Sequence, residues 1–384
     1  MKAALNFAIA PLMIASLGAM PLPLKAQAPQ TDQAASTPSP WPPQIRAEVP
    51  YQPIAFPSEG NQHLFYELYL TNFSQSRIGL GSIEVFDPER PQSPPLARFA
   101  GRNLASIVQT IGSDSDHTTA TELPAGSTLV AFFEVKIPDG IPVPRQLAHR
   151  IVLDNTAVTV GLFHPGRGPL KILGRPVTGA GWLAADGPGS DPDNHHRRGL
   201  FLRDGILTDS RRFAIDWKMV RNGQSWQGNP HLPASYFAYG QPLMAVADAV
   251  VIEASDGLPD NPPGHGADFH PAVPVTIDNV GGNHVVLDLG DGQYAHYFHM
   301  RAGSLLVKTG DHVRRGQLIG AIGSSGDARE PHLHLEITDA VDTLRGEGLP
   351  YVIDHYTVMS DRTDQRDLRN QQLPLDGMVI DFGN

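Results

Sequence analysis

Alternation of apolar and polar residues is the feature that most constrains the fold of this chain. Residues 63–72 (HLFYELYLTN) alternate aromatic or aliphatic with polar side chains, and residues 331–337 (PHLHLEI) place Leu333, Leu335 and Ile337 at every second position. A period of two residues is typical of a β-strand with one face in a core. Similar short segments recur at 81–86, 128–135, 149–153, 213–217, 283–288 and 294–300. Since no long segment has a helical period, the pattern predicts an all-β protein.

The N-terminus has the pattern of an exported protein. Met1 and Lys2 precede an apolar run that extends to residue 20, and residues 26–28 (AQA) form a small-x-small site. This combination is typical of a secretory signal peptide, so we expect one over residues 1–28 and a periplasmic location. No later stretch approaches the roughly 20 apolar residues that span a bilayer, and we expect no transmembrane span after the signal is removed.

Composition excludes several classes of chemistry. The chain has 384 residues, no cysteine and a formal net charge of −11. A chain of this length can form two domains. Without cysteine, neither a thiolate metal site nor a thiol nucleophile is possible. The negative charge argues against a nucleic-acid partner, because phosphate binding favours a basic face. The sequence does not define an oligomeric state.

The first half of the chain carries a linker and a β-rich region. Residues 29–43 are rich in Pro, Ser, Thr, Gln and Ala, which is typical of a flexible linker. Residues 44–165 contain short alternating segments separated by Pro, Gly and Asp, which predicts an N-terminal antiparallel β-sandwich of the Ig-like type. Its histidines are scattered, and each is interpreted as structural: His63, His117, His149 and His164.

Candidate metal-binding residues lie in the second half, which holds 12 of the 16 histidines. His332 and His334 are two positions apart on one strand, so both project from the same face. Two neighbouring imidazoles can bind a metal or divide the roles of ligand and acid/base, although they also occur on solvated sheet faces. In residues 212–217 (RFAIDW), Asp216 faces away from the apolar side, beside the small Ala214. Asp216 is therefore either a metal ligand or a solvated carboxylate.

Residues 281–337 resemble the core of the lysostaphin/LytM-type zinc metallopeptidases. The resemblance rests on an ordered set of motifs: GNHVV at 282–286, YFHM at 297–300, GDHVRRGQLIG at 310–320, GSSG at 323–326 and PHLHLE at 331–336. Residues 241–252 also match, except that Ala249 stands where the family usually has glycine. The likeness covers about residues 183–340. It implies a C-terminal lysostaphin-type β-sheet metallopeptidase domain over residues 170–345, followed by a C-terminal extension at 346–384.

The resemblance also implies roles for individual residues. His334 would be a zinc ligand and Asp216 the carboxylate ligand. His332 and His299 would be the two catalytic histidines. His296 is a rival to His299, since it lies three residues earlier on the same segment, but the register of the motif favours His299.

The first histidine ligand departs from the family pattern. The family usually has His-x-x-x-Asp, but Arg212 stands four residues before Asp216 and cannot bind a metal, because it stays protonated. Two histidines are available in a loop about 20 residues upstream. We favour His196, with His195 as the alternative.

The implied activity is that of an exported zinc metalloendopeptidase. Two imidazoles and a carboxylate leave an open position on Zn²⁺, which activates water and polarises a carbonyl. His299 and His332 would take the proton and hold the developing oxyanion. The expected substrate is the peptide of peptidoglycan, in cross-links or stem peptides, and the sandwich would serve as a spacer or wall-docking module. For Glu336 we favour a solvated residue at the strand end, with a partner of a ligand as the alternative.

Two other functions remain open. The first is a catalytically inactive family member that acts as a scaffold or activator of other cell-wall hydrolases, and Arg212 at the usual ligand position favours it. The second is a cupin-like metal oxygenase, which also uses His-x-His on strands. Glu336 lies too close to the histidine pair for the cupin spacing. A thermolysin-like mechanism is excluded, because the chain lacks His-Glu-x-x-His.

Overall fold

The computed structural model describes residues 41–111, 121–359 and 367–383. The expected signal peptide at 1–28, residues 29–40 of the expected linker, and His117 lie outside this part. All that follows concerns the unit that begins at Trp41. No helix among the described residues is long and apolar enough to cross a membrane. The fold is all-β, as the alternation predicts.

Ten strands and one short helix form the N-terminal part of the described chain. Their bounds are β1 (Ile45–Glu48), β2 (Phe56–Ser58), β3 (Asn61–Asn72), β4 (Ile78–Phe86), β5 (Ala97–Ala100), α1 (Arg102–Ala105), β6 (Val108–Thr110), β7 (Glu122–Leu123), β8 (Thr128–Pro138), β9 (Leu147–Leu153) and β10 (Thr156–Phe163). One antiparallel sheet has the order β1-β3-β8-β6, with β2 also paired to β3. The other has the order β10-β9-β4-β5, with β7 paired to β4.

These two sheets pack face to face, which confirms the predicted sandwich. Strand β3 contributes Leu64, Tyr66, Leu68 and Leu70 to a core that also contains buried side chains of β4, β8 and β9. All four residues have the same parity, as a period of two requires. The apolar half of the alternation in β3 therefore fills the space between the sheets.

Fifteen further strands follow. Their bounds are β11 (Lys171–Leu173), β12 (Ala180–Ala185), β13 (Phe201–Arg203), β14 (Ile206–Thr208), β15 (Ile215–Met219), β16 (Pro242–Met244), β17 (Ala249–Ser255), β18 (Asn283–Asp288), β19 (Tyr294–Met300), β20 (His312–Val313), β21 (Leu318–Ala321), β22 (Leu333–Thr338), β23 (Tyr351–Val358), β24 (Asp367–Gln372) and β25 (Val379–Asp381). Short 3₁₀ turns cover Ser210–Phe213, Pro233–Ser235 and Gly266–Asp268.

Most of these strands join one large sheet of order β11-β23-β25-β12-β15-β22-β19-β18-β17-β20, with β24 paired to β23. Neighbours pair antiparallel except β11 and β23, which are parallel. The strands of the expected C-terminal extension are thus members of the same sheet as the expected peptidase domain. Strand β25 lies directly beside β12, where Leu183 pairs with Val379.

The sandwich and the large sheet share a core. On β3, Phe65 points away from the sandwich interior and belongs to the same apolar cluster as Trp217, Leu333 and Leu335 of the large sheet. The ring of Phe65 lies 6.3 Å from that of Phe213, which directly precedes β15. The second face of β3 is therefore buried against the C-terminal part of the chain instead of facing solvent.

Candidate active site

Three adjacent strands of the large sheet, β15, β22 and β19, surround the predicted site, whereas His196 lies in the segment between β12 and β13. Asp216 on β15 lies directly opposite His334 on β22. On the other side of β22, Phe298 of β19 lies opposite His334, and the two rings stack 5.5 Å apart. Leu333, Leu335 and Ile337 point to the opposite face and are buried in the core. The alternation in residues 331–337 thus separates a packed apolar face from a polar face.

The carboxylate of Asp216 is the point on which three imidazoles converge. Its Oδ1 lies 2.9 Å from Nδ1 of His334, 3.4 Å from Nε2 of His332 and 3.5 Å from Nε2 of His196. All four side chains are buried. Three separate segments of the chain therefore bring one oxygen and three nitrogen donors together.

Backbone carbonyls define the tautomer of three of the histidines. Nδ1 lies 2.8 Å from Asp186 O in His196, 2.8 Å from Ser325 O in His299 and 2.7 Å from Glu330 O in His332. Because a carbonyl oxygen only accepts, each Nδ1 must donate its proton there. In the neutral form, Nε2 of each ring keeps a free lone pair, which can bind a metal or accept a proton.

His334 has a different environment, because both of its ring nitrogens face carboxylates. Nδ1 is bonded to Asp216, and Nε2 lies 3.3 Å from Oε2 of Glu336. Burial by itself lowers the pKa of His334, but the bonds to Asp216 and Glu336 outweigh it and raise the pKa to about 9. Glu336 is only 1% exposed, so its interpretation as a solvated residue at the strand end is wrong, and it is the partner of His334.

Burial controls the charge of the other groups. It lowers the pKa of His196 to about 3, in spite of the nearby Asp216 carboxylate. It also lowers the pKa of His299 well below its ordinary value, an effect that the neighbouring His332 and His334 reinforce. Burial would raise the pKa of Asp216, but His332 and His196 outweigh it and hold that pKa well below its ordinary value. Near neutral pH the site therefore contains an ionised carboxylate and neutral imidazoles at His196 and His299.

A local departure from strand geometry gives His296 and His299 different surroundings. His296 faces the same side as His334 but is buried, and its Nε2 bonds to Thr338 Oγ1 at 2.9 Å. His299 should point to the core side by simple alternation, but its φ is +62°, in the left-handed region that non-glycine residues rarely adopt. Its ring consequently lies 4.8 Å from that of His332. The orientation of the His299 ring therefore cannot be predicted from strand periodicity.

Both upstream histidines lie near Asp216. Single donor atoms of His195, His196 and Asp216 all lie within 4.8 Å of one another. His196 is buried and packs edge-on against His334, with ring centroids 4.8 Å apart. The side chain of His195 is 54% exposed and bonds to Asp186 through Nδ1. The structure thus brings both candidates to the site and gives His196 the enclosed position.

Arg212 does not point into the cluster of imidazoles. Its guanidinium is buried and makes two-pronged contacts to Glu67 of β3, at 3.0 Å from Nε and 2.6 Å from Nη2. The position that usually holds a histidine in the family is thus occupied here by a cation in an ion pair with the sandwich.

A cleft of about 430 Å³ opens above the cluster. Besides the histidines, its walls carry Lys218, which follows Asp216 on the same face of β15 and lies 2.8 Å from Glu330. The sequence analysis did not identify Lys218 or Glu330. Lys218 lies two residues after Asp216 and Glu330 two residues before His332, and this spacing is the signal that points to them. A cleft of this size is typical of a site that binds a small ligand or a short segment of a larger one.

Comparison with known proteins identifies the part of the chain that carries this cleft. Residues 234–345 match the model of peptidase family M23. The chain contains an M23 peptidase domain. The matched residues include His299, His332 and His334, whereas His196 and Asp216 precede them.

Relatives of the M23 domain include proteins that are named endopeptidases. The chain is 28% identical over 148 residues to Peptidoglycan DD-endopeptidase ShyC of Vibrio cholerae, a match that covers 38% of this chain and 28% of that protein. It is 29% identical over 110 residues to Glycyl-glycine endopeptidase ALE-1 of Staphylococcus capitis, covering 28% of this chain and 25% of the relative. The chain thus spans less than a third of the length of these curated relatives.

Among solved structures, the catalytic domain of lysostaphin from Staphylococcus simulans aligns with a TM-score of 0.23 and 22% identity. The alignment covers 38% of this chain and 77% of that domain.

Proposed function

We propose that this protein is an exported zinc metalloendopeptidase that hydrolyses peptide bonds in peptidoglycan. The observation that supports the proposal most is the convergence of three imidazoles on the carboxylate of Asp216, at the edge of an M23 domain. The domain organisation expected from the sequence, with a signal peptide over residues 1–28 and the peptidase over residues 170–345, is part of the proposal.

The donor set fits zinc. His196, Asp216 and His334 would hold the metal, and two imidazoles with one carboxylate are a typical ligand set of catalytic zinc sites. The hydrogen bond from His196 Nδ1 to Asp186 O leaves Nε2 free for the metal, whereas His334 would lose a proton from Nδ1 on binding. Its Nε2–H would remain bonded to Glu336. When bound, zinc supplies a Lewis acid that polarises a carbonyl and makes water nucleophilic at neutral pH.

The remaining two histidines would move protons. His299 and His332 each donate Nδ1–H to a backbone carbonyl, so each can accept a proton at Nε2. The low pKa of His299 favours its neutral form at pH 7, which is the form that accepts a proton from the attacking water. Once protonated, the same nitrogen can donate to the developing oxyanion or to the leaving amine. The carbonyl partners hold both rings in orientation.

The substrate is proposed from the named activities of the relatives. ShyC is named a peptidoglycan DD-endopeptidase and ALE-1 a glycyl-glycine endopeptidase, and both names denote cleavage of an amide bond. We infer a peptide bond of a cross-link or stem peptide as the substrate and the periplasm as the site of action. Arg212, which favours an inactive scaffold by its position, pairs with Glu67 in the structure. The distance of 3.5 Å between His196 Nε2 and Asp216 Oδ1 supports His196 as the ligand in its stead.

Metal content and hydrolysis, measured on the same preparation, test the proposal. The purified chain of residues 29–384 should contain about one zinc ion per chain and should release new amino groups from isolated peptidoglycan. A chelator should abolish the release and added zinc should restore it. His196→Ala should lose zinc, whereas His195→Ala should retain it. A parent protein that binds no zinc and cleaves nothing under metal-preserving conditions would refute the proposal.

A further inference from the structure

We propose that the N-terminal sandwich positions the metal-binding residues of the active site through Glu67. This inference rests on the proposed function, since it assigns Glu67 as a positioning residue for His196 and Asp216. It adds a direct contribution to the site to the expected spacer or docking role of the sandwich.

Glu67 lies on the face of β3 that is turned toward the large sheet, and it is 1% exposed. Its Oε1 accepts a hydrogen bond of 2.7 Å from Arg197 Nη1, and its Oε2 accepts one of 2.6 Å from Arg212 Nη2. Both guanidinium groups are themselves buried. One carboxylate of the sandwich therefore joins two arginines that come from different segments of the C-terminal part.

Both arginines are next to the residues proposed to hold the metal. Arg197 directly follows His196, and Arg212 lies in the 3₁₀ turn that leads into β15 and Asp216. A displacement of either guanidinium would be transmitted to a ligand through at most four residues of backbone. Glu67 therefore links the two segments whose mutual distance determines whether a nitrogen and an oxygen can bind the same ion.

The segment that carries His196 needs such a link, because it contains no regular structure. It connects β12 to β13 and contains no strand of the large sheet. Its internal hydrogen bonds are those of turns, such as the one from the amide of Arg197 to Asn194 Oδ1 at 2.9 Å. The sandwich adds others, because Arg197 Nη2 donates to Phe133 O at 2.8 Å and Arg198 Nη2 donates to Ser106 O at 2.6 Å. The two residues after His196 are therefore anchored in the sandwich.

The charges at this junction are balanced. Arg212 Nη2 also lies 2.8 Å from Oε2 of Glu347, so two guanidinium groups face two carboxylates. Buried charges of this kind are stable only when they are paired in good geometry. Removing the charge of Glu67 leaves both arginines under-compensated, and the His196 segment is then expected to move to rehydrate Arg197.

The experiment compares Glu67→Gln with Glu84→Gln in the chain of residues 29–384. Glu84 is the control, because it lies in the other sheet and pairs at 2.9 Å with Arg150 of the sandwich itself, so its contact does not reach the C-terminal part. Zinc affinity is measured by chelator competition, and the ligand geometry by the visible absorption of the Co²⁺-substituted protein. Partners that orient metal ligands typically change affinity by about 10- to 100-fold, and we expect a loss of that size in Glu67→Gln with an altered Co²⁺ spectrum. Glu84→Gln should match the parent.

A second variant covers the case in which Glu67→Gln does not fold. Arg197→Lys keeps a positive charge beside Glu67 but loses the guanidinium fork that reaches Glu67 Oε1 and Phe133 O together, and we expect it to fold and to bind zinc more weakly than the parent. A folded Glu67→Gln protein with the zinc affinity and Co²⁺ spectrum of the parent would overturn the inference. If Glu67→Gln does not fold, parental zinc affinity and Co²⁺ spectrum in Arg197→Lys would overturn it. A parent that binds no zinc would instead refute the proposed function.

Discussion

Strands β3 and β22 have the same pattern and different surroundings. Each alternates apolar with polar residues, and each carries a glutamate that is 1% exposed, Glu67 on β3 and Glu336 on β22. The polar face of β22 meets the imidazoles beneath the cleft, whereas that of β3 meets two arginines from the C-terminal part. Alternation thus identifies the side chains that share a face, but it does not reveal whether water, a metal site or another part of the chain covers that face.

The largest effect is expected at the polar face of β22. His334→Ala removes a proposed ligand and the partner of both Asp216 and Glu336, so zinc binding and hydrolysis should be lost together. His355→Ala, a change of the same type at a half-exposed position on β23, should retain both. Zinc per chain and peptidoglycan hydrolysis measured on the two variants decide the matter, and full activity in His334→Ala would show the ligand assignment to be wrong.

His299 and His296 sharpen the comparison within one strand, because only the ring of His299 reaches His332. His299→Ala should lower kcat by about 10²- to 10⁴-fold while zinc stays bound, since general acid–base catalysis contributes on that scale. His296→Gln should stay close to the parent in kcat, because its partners are Thr338 and Ala340. Zinc content and kcat are measured side by side, and the opposite ranking of the two variants would reassign the proton-transfer role.

The two buried glutamates should differ in their effect on stability. Breaking a buried ion pair typically costs about 3–5 kcal/mol, and Glu67→Gln should lower the free energy of unfolding by that amount. Glu336→Gln keeps a hydrogen-bond acceptor for His334, and we expect a loss of only about 1–3 kcal/mol. Urea denaturation of both variants without metal gives the two values. Equal losses in the free energy of unfolding would mean that the ion pairs of Glu67 stabilise the fold no more than the contact between Glu336 and His334 does.

A smaller effect, on the pH dependence of the free energy of unfolding, is expected at the face of β3 that lies inside the sandwich. Tyr66 of β3 bonds to Nε2 of His149, and burial lowers the pKa of His149 to about 4. Since the unfolded state binds the proton from about pH 6.5 downward, the free energy of unfolding should fall as the pH drops from 6.5 to 4. The fall should be about 3 kcal/mol, at about 1.4 kcal/mol per pKa unit. Thermal or urea unfolding across this range measures it, and a parent no more pH-dependent than His149→Gln would contradict it.

Much of the fold was predictable from the sequence, because strand periodicity is a local property. That Leu333 and Leu335 share the core face of β22 follows from the order of residues that are neighbours in the chain. The shared face of His332 and His334 follows in the same way, and the M23 match confirms the family suggested by the motifs around them.

The remaining features depend on contacts between distant residues. The left-handed backbone of His299 departs from the strand periodicity that predicts where a side chain points. The placement of His196 depends on a loop, and the burial of Glu67 depends on arginines more than 100 positions away in the sequence. No local pattern in β3 separates a carboxylate that meets water from one that meets Arg197 and Arg212.

Strand β25 determines when the site can form. It occupies the place beside β12 in the large sheet, and β12 in turn supports β15, which carries Asp216. The sheet around the proposed metal ligands is therefore complete only after residues 379–381 have closed a very long loop, which makes its folding slow. A chain that lacked these residues would expose the edge of β12 to other strands. The proposed site could thus become complete only after the whole segment from β12 to β25 had folded into the sheet.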